Sequence, residues 1–238
     1  MKKYKLLKSD TITHYGRTLY RIQALIDFAD VKAGDLGGYI ECEDNLARKG
    51  DCWVYDEAKV YESAMVCGSA IACGSAEVSG SAWVSGSAWV YDKAEVSGSA
   101  IVSGSARVYG EARVYDKARV YGSAKVFGSA MVYGSAWVSD SARVCGSAEV
   151  SDSARVYGSA CLRNYDEIKD TQNYMVIQGF KYPITVTPMS INIGCMSYTP
   201  DMLDKIDKHS EFSDETIQTM KFMIEFSINE IYKNLWRK

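Results

Sequence analysis

From Val54 onward the apolar positions keep a strict beat. Valine recurs every six residues and alanine follows four places later, so residues 54–161 divide without a gap into 18 units of the form V-x-G-S-A-x. The first position is Val in 17 units, with Ala72 the exception, and the fifth is Ala in all 18. The third is Gly or Asp except at Glu62, and the fourth is Ser in 14 units and otherwise Glu or Lys. Across a unit boundary, Ala, x, Val, x alternates with period two, which predicts a short strand with Ala and Val on one face. Gly or Asp then marks a bend, because both tolerate left-handed backbone. Ser completes the corner and can bond local backbone. Every six residues therefore predict one short strand and one corner.

Three units close a triangular coil of 18 residues, and 18 units make six coils. Stacked at about 4.8 Å per step they form a prism roughly 29 Å tall. The interior of such a coil is narrow, so Val and Ala fill it and a Phe in the Val position would overpack it. The units resemble the hexapeptide repeat of left-handed parallel β-helices. That resemblance implies left-handed coiling and a homotrimer in which the sides of three prisms pack together. "RTLYRIQAL" (17–25), "GDLGGYIE" (34–41) and "EDNLARKGDCWVYDEAKVY" (43–61) further resemble the start of hexapeptide-repeat proteins encoded by phages and prophages. The fold expected is mainly β: a left-handed parallel β-helix of about six 18-residue coils with an N-terminal β cap and a small C-terminal α+β domain.

Open coils leave strand edges and apolar interior bare at both ends, so repeat arrays need caps. Residues 1–50 are assigned to the first. "ITHYGRTLYRIQAL" predicts two strands around a turn at Tyr15-Gly16. Arg48 stands where the register wants Val, so the regular helix is expected over 51–162, beginning just after it. Residues 163–238 form the third region. "YMVIQ" (174–178), "ITVT" (184–187) and "MSINI" (189–193) predict a small sheet. Thr199-Pro200 opens a short helix, and Ser213, with Asp214 and Glu215 behind it, caps a longer one. Ile217, Met220, Ile224, Ile228, Ile231 and Leu235 form its apolar stripe, which Phe222, Met223, Phe226 and Trp236 widen. That face is expected on the sheet, with a trimer contact as the sharper alternative.

Net charge is −3, which offers no global attraction to a nucleic acid polymer or an anionic membrane. The start has no signal-peptide h-region and no stretch is long enough for a membrane span. The cysteines are seven, Cys42, Cys52, Cys67, Cys73, Cys145, Cys161 and Cys195, without a C-x-x-C pair. They fit reduced thiols in a bacterial host's cytoplasm. Zinc is not expected, since the histidines are two, His14 and His209, and no cofactor is implied.

The candidate chemistry lies in the outward positions. Residues 18 apart stack, so Arg107, Lys125 and Arg143 form a column at about 5 Å spacing. Like charges so close need an anion. Glu77, Glu95 and Glu149 of a neighbouring subunit are one source and a bound ligand is another. One coil repeats R-V-Y as Arg107/Tyr109, Arg113/Tyr115 and Arg119/Tyr121. Arg binds phosphate bidentately and Tyr offers a ring to a base. Trp53, Ile71, Trp83, Trp89, Tyr91 and Trp137 are the candidate subunit contacts. Many hexapeptide-repeat proteins are acyl-CoA-dependent acyltransferases with a His base on the coils, and here no His lies between 15 and 208. The residues predict a non-enzymatic binder of a small anionic, nucleotide-derived ligand, and the resemblance to phage-encoded repeat proteins implies that a homotrimer sequesters it in inter-subunit clefts as an anti-defence sponge. A scaffold that binds a protein partner is the alternative, and acyl transfer the disfavoured third.

Overall fold

The computed structural model describes residues 2–164, 166–194, 196–208 and 212–235. His209, Cys195 and Trp236 lie outside the described residues, as does the side chain of Leu235. The chain is a mainly β molecule built on a parallel β-solenoid of about 7 turns. Two-residue strands run from Trp53–Val54 to Glu167–Ile168 and stack into three parallel faces. One face carries Trp53, Ile71, Trp89, Arg107, Lys125, Arg143 and Cys161 in register. The second runs through Lys59, Glu77, Glu95, Arg113, Met131 and Glu149, and the third through Met65, Trp83, Ile101, Arg119, Trp137 and Arg155. Inward Val and Ala are fully buried throughout, as a narrow coil requires.

The backbone ladder runs mostly in one direction. Trp89 N–H donates to Ala106 C=O, Tyr91 to Val108 and Lys93 to Gly110, each 17 residues on. Within each strand the parallel pairing sends one bond back, Val108 N–H to Trp89 C=O, so each unit makes three forward backbone bonds for one backward. The first coil is left mainly with bare carbonyls and the last mainly with bare N–H groups, and both must find partners.

At the first end, β1 (Tyr4–His14) and β2 (Arg17–Ala24) form an antiparallel hairpin. Its two-residue turn puts Tyr15 and Gly16 at φ 47° and 76°, both left-handed, as a type I′ hairpin needs. Strand β3 (Leu36–Ile40) pairs antiparallel with β2 and parallel with Lys59–Val60, so hairpin and solenoid share one 10-stranded sheet. The junction is why "LGGYI" needs two glycines. A Cβ on Gly37 or Gly38 would come within 2.5 Å of the Val54 or Ala58 carbonyl oxygen. Donors then meet the bare carbonyls. Lys3 Nζ donates to Gly50 O (2.8 Å) and Cys52 O (2.6 Å), and Tyr4 Oη donates to Leu46 O (2.7 Å).

The parallel ladder begins earlier than Arg48 suggested. Ile40 and Leu46 already occupy rungs, Leu46 bridging to Val66. Six residues separate Ile40 from Leu46 and eight separate Leu46 from Val54; the two extra residues carry Arg48 out of the core. The ladder also runs past Cys161, through Leu162 to Ile168.

At the far end, acceptors meet the bare N–H groups. Arg155 N–H donates to Thr171 Oγ1 (3.0 Å), Cys161 N–H to Thr185 Oγ1 (2.9 Å) and Arg163 N–H to Asp166 Oδ2 (2.8 Å). Asp166, buried, also accepts from Thr187, Ser190 and Asn192. Beyond lies an antiparallel four-stranded sheet, Met175–Ile177, Ile184–Val186, Ile191–Ile193 and Met196–Tyr198. A 3-10 helix (Pro200–Lys208) and α1 (Asp214–Leu235) pack on it through Ile206, Ile217, Met220, Ile224 and Ile231. Ser213 Oγ caps α1 by accepting from Thr216 N–H (3.3 Å). Phe222 and Phe226 point away from the sheet and are exposed.

The corner residues explain the Gly/Asp variation. Both occupy left-handed backbone, Asp116 at φ 58° and Gly134 at φ 67°. Asp116 Oδ2 accepts from Gly134 N–H one coil on (3.1 Å); Asp56, Asp92 and Asp140 do the same to Gly74, Gly110 and Gly158. Asp thus offsets its left-handed strain with a bond to the next coil. Asp116→Ala keeps the strain and loses the bond, so it is expected to cost about 1–2 kcal/mol more than Asp116→Gly in urea unfolding. Equal stabilities would refute this role.

Candidate functional site

The outward positions of the first face form two parallel columns. In one, Arg107, Lys125 and Arg143 stack in register. Among the described residues no carboxylate pairs with any of them. Arg107 has Trp89 beneath its guanidinium, 5.9 Å from the ring centroid. In the other column Tyr91, Tyr109 and Phe127 stack face to face, with centroids 4.8 and 4.9 Å apart and planes within 4° of parallel. Burial pushes the Tyr109 and Tyr91 phenols above their ordinary range, so both are neutral at physiological pH and do not answer the cations.

The three R-V-Y pairs do not meet within one chain. Arg107/Tyr109 lie on the first face, Arg113/Tyr115 on the second and Arg119/Tyr121 on the third, because each unit turns one corner. On the second face Arg113 Nε lies 3.5 Å from Glu95, and Tyr115 stacks on Tyr133 at 5.0 Å. On the third, Trp137 is sandwiched by Arg119 and Arg155, at 5.2 and 4.7 Å. Tyr121, Trp137, Arg155 and Tyr157 border an open hollow of about 650 Å³. Tyr109 has its faces covered by Tyr91 and Phe127, so it cannot stack on a base; the ring faces left over by that column belong to its end members.

Two further expectations change. Trp53 is fully buried, edge-on to Tyr4 (6.2 Å) and Phe28 (5.3 Å) of the cap, so it packs the fold and makes no subunit contact. Its repeat position is outward, but the cap closes over it. Ile71, Tyr91 and Trp137 are half-buried, whereas Trp83 and Trp89 keep 49% and 41% of their surface exposed. The acids nominated as partners for the cationic column are engaged within their own chain. Glu77 lies 3.1 Å from both Lys59 and His14, Glu95 pairs with Arg113, and Glu149 accepts from Tyr133 Oη (3.1 Å).

A cavity of about 520 Å³ went unanticipated. It lies between the end of the first face and the C-terminal sheet, lined by Arg143 and Cys161 on one side and Tyr182, Pro183, Ile193, Met196 and Phe212 on the other. Cys161 occupies the position that holds Arg143 one coil earlier, and that break in the column was the available signal. No group of three or more metal-ligating side chains occurs among the described residues. No described helix is long and apolar enough to cross a membrane.

Comparison with known proteins reaches this same stretch of chain. The family model described as YdcK Beta solenoid repeat matches residues 106–122, the coil that carries the three R-V-Y pairs. An Escherichia coli (strain K12) protein named Uncharacterized acetyltransferase YdcK is 39% identical over 64 residues, which is 24% of this chain and 20% of that protein. The chain therefore matches about a fifth of that relative's length. Both likenesses fit the solenoid repeat.

A column of cations that no described carboxylate answers predicts a specific electrostatic response. Lys125→Glu places an acid between Arg107 and Arg143, so it is expected to stabilise the chain at low salt by about 0.5–1 kcal/mol. The gain should fade at high ionic strength. A loss of stability in thermal melts at low salt would mean that the column already has its counter-charge.

Proposed function

We propose that this chain is a non-enzymatic β-solenoid that holds a small anionic, nucleotide-derived ligand on its cationic face, in an assembly of three copies. The observation that carries this reading is the column Arg107–Lys125–Arg143, repeated at ladder spacing without a carboxylate partner among the described residues. Evenly spaced cations of this kind are a template for phosphate oxygens, and Arg adds bidentate geometry. The ring faces at the ends of the Tyr91–Tyr109–Phe127 stack are the places for a base. A second solenoid packed against exposed Trp83 and Trp89 would turn an open face into a cleft and bring Arg113/Tyr115 or Arg119/Tyr121 of another copy opposite. A phage-type origin, a place in the bacterial cytoplasm and the role of a sponge for defence signals belong to the same proposal.

Acyl transfer is the second reading, favoured by the printed name of the Escherichia coli relative. In this chain the described histidine, His14, is held by Glu77 at 3.1 Å and lies edge-on to Tyr61 at 5.2 Å. It is thereby fixed as part of the hairpin's contact with the solenoid.

Titration calorimetry against cyclic dinucleotides and ADP-ribose-type nucleotides tests the first reading. Stoichiometric binding without turnover is expected, weakening with salt and falling at least about tenfold in Lys125→Glu. Light scattering should give three times the 26.4 kDa chain. Absence of binding across the panel at low salt rejects the reading. Release of free CoA from acetyl-CoA at a rate that depends on His14 would establish the second instead.

A further inference from the structure

The cavity at the end of the solenoid holds a cluster that the cationic column does not explain. Cys161 Sγ lies 3.2 Å from Arg163 Nε, which donates to it, while Arg163 Nη2 is anchored on Gly194 O at 2.9 Å. Arg143 is its in-register neighbour on the coil before and shares the cavity lining. Among the described residues, the charged and titratable groups around the sulfur are Cys145, Arg163 and Arg143 from the solenoid and Tyr182 across the cavity. The opposite wall is aromatic and aliphatic: Tyr182, Pro183, Ile193, Met196 and Phe212.

We propose that Cys161 is a site of mixed-disulfide formation with small disulfides that carry a carboxylate and an apolar or aromatic body. The Cys161 thiolate attacks one sulfur of the disulfide. The S–S bond of the reagent breaks, a new S–S bond joins Cys161 to one half, and the other half leaves as a thiolate that takes up the proton Cys161 gave to solvent. The disulfide itself supplies the oxidising equivalents. Arg143 receives the carboxylate and the apolar wall receives the body of the reagent.

Two features make Cys161 the reacting sulfur and its adduct the end point. The neighbouring Cys145 sulfur, then the hydrogen bond and charge of Arg163, outweigh burial and hold the Cys161 thiol below its ordinary range, whereas the Cys145 thiol, which donates to Leu162 O (3.5 Å), is pushed up. Cys73, by contrast, is driven up to about 11 by burial. The register places Cys145 opposite Arg163 and Cys161 opposite Arg143, so the two cysteines are diagonal across the ladder. One rung and two residues separate their Cα atoms by roughly 8 Å, beyond the span of a disulfide in an unmoved backbone. Cys145 therefore does not resolve the adduct. The proposal stands whether or not the cationic column binds a nucleotide.

The test is stopped-flow labelling of the full chain with dithiobis-nitrobenzoate, an aromatic disulfide bearing carboxylates, and with cystamine, a cationic one. At about pH 7 one equivalent of nitrothiobenzoate is expected in a phase at least about tenfold faster than the rest, and peptide mapping should place the adduct on Cys161. The fast phase should be lost in Cys161→Ser. In Arg163→Gln its pH midpoint should move up toward the ordinary thiol value of about 8.5. Arg143→Gln should slow the carboxylate reagent severalfold without slowing cystamine. Mapping on the unsubstituted chain decides the matter even where a variant fails to fold. A fast adduct on another cysteine, a uniform slow reaction, or a product that has lost two hydrogens and gained no adduct would each overturn the proposal.

Discussion

Between coils, three backbone N–H groups of each six-residue unit donate to the following coil, while the Val N–H donates back to the preceding one. That imbalance makes the stack a polar object with two different ends. In the middle the ladder is self-sufficient, and monotonous Val and Ala suffice to fill the core. At the ends it is not. The hairpin end brings donors, the Lys3 ammonium and the Tyr4 hydroxyl, to carbonyls; the other end brings acceptors, Thr171, Thr185 and Asp166, to N–H groups. The two caps differ in chemistry because the edges they cover differ in chemistry.

The same ladder governs what the surface can do. In-register stacking places every outward residue about one strand spacing from its copy in the next coil. A like charge therefore becomes a column, and a ring becomes a stack that consumes its own faces. Tyr109 illustrates the second case and Lys125 the first. Recognition on such a surface depends on charges along a line, and on the places where a column is interrupted. Cys161 is such a place, where a column of cations ends in a thiol beneath the C-terminal sheet.

The repeat was legible because six-residue periodicity maps directly onto strand and corner, and the three face assignments follow from adding 18. The turn at Tyr15-Gly16 and the cap at Ser213 were legible from local chemistry alone. What could not be read was long-range. Trp53 looks outward in the repeat and is buried because Phe28 and Tyr4 arrive from the cap. Leu46 takes a rung that counting by six assigned to Arg48, since an insertion of two residues is invisible to a fixed period. The intrachain engagement of Glu77 depends on Lys59 one coil earlier and on His14 in a hairpin 63 residues away. The cavity at Cys161 needs the C-terminal sheet folded against the last coil.

The claim that the ends of the ladder are closed by side chains of opposite chemistry has a direct test in amide hydrogen exchange. The amides of Arg155 and Cys161 should be protected nearly as well as those in mid-solenoid, such as Arg107 and Lys125. Thr185→Val should then lower protection at Cys161 by about tenfold or more while leaving mid-solenoid amides unchanged. Fast exchange at Cys161 in the unsubstituted chain, or protection there that survives Thr185→Val, would contradict the account.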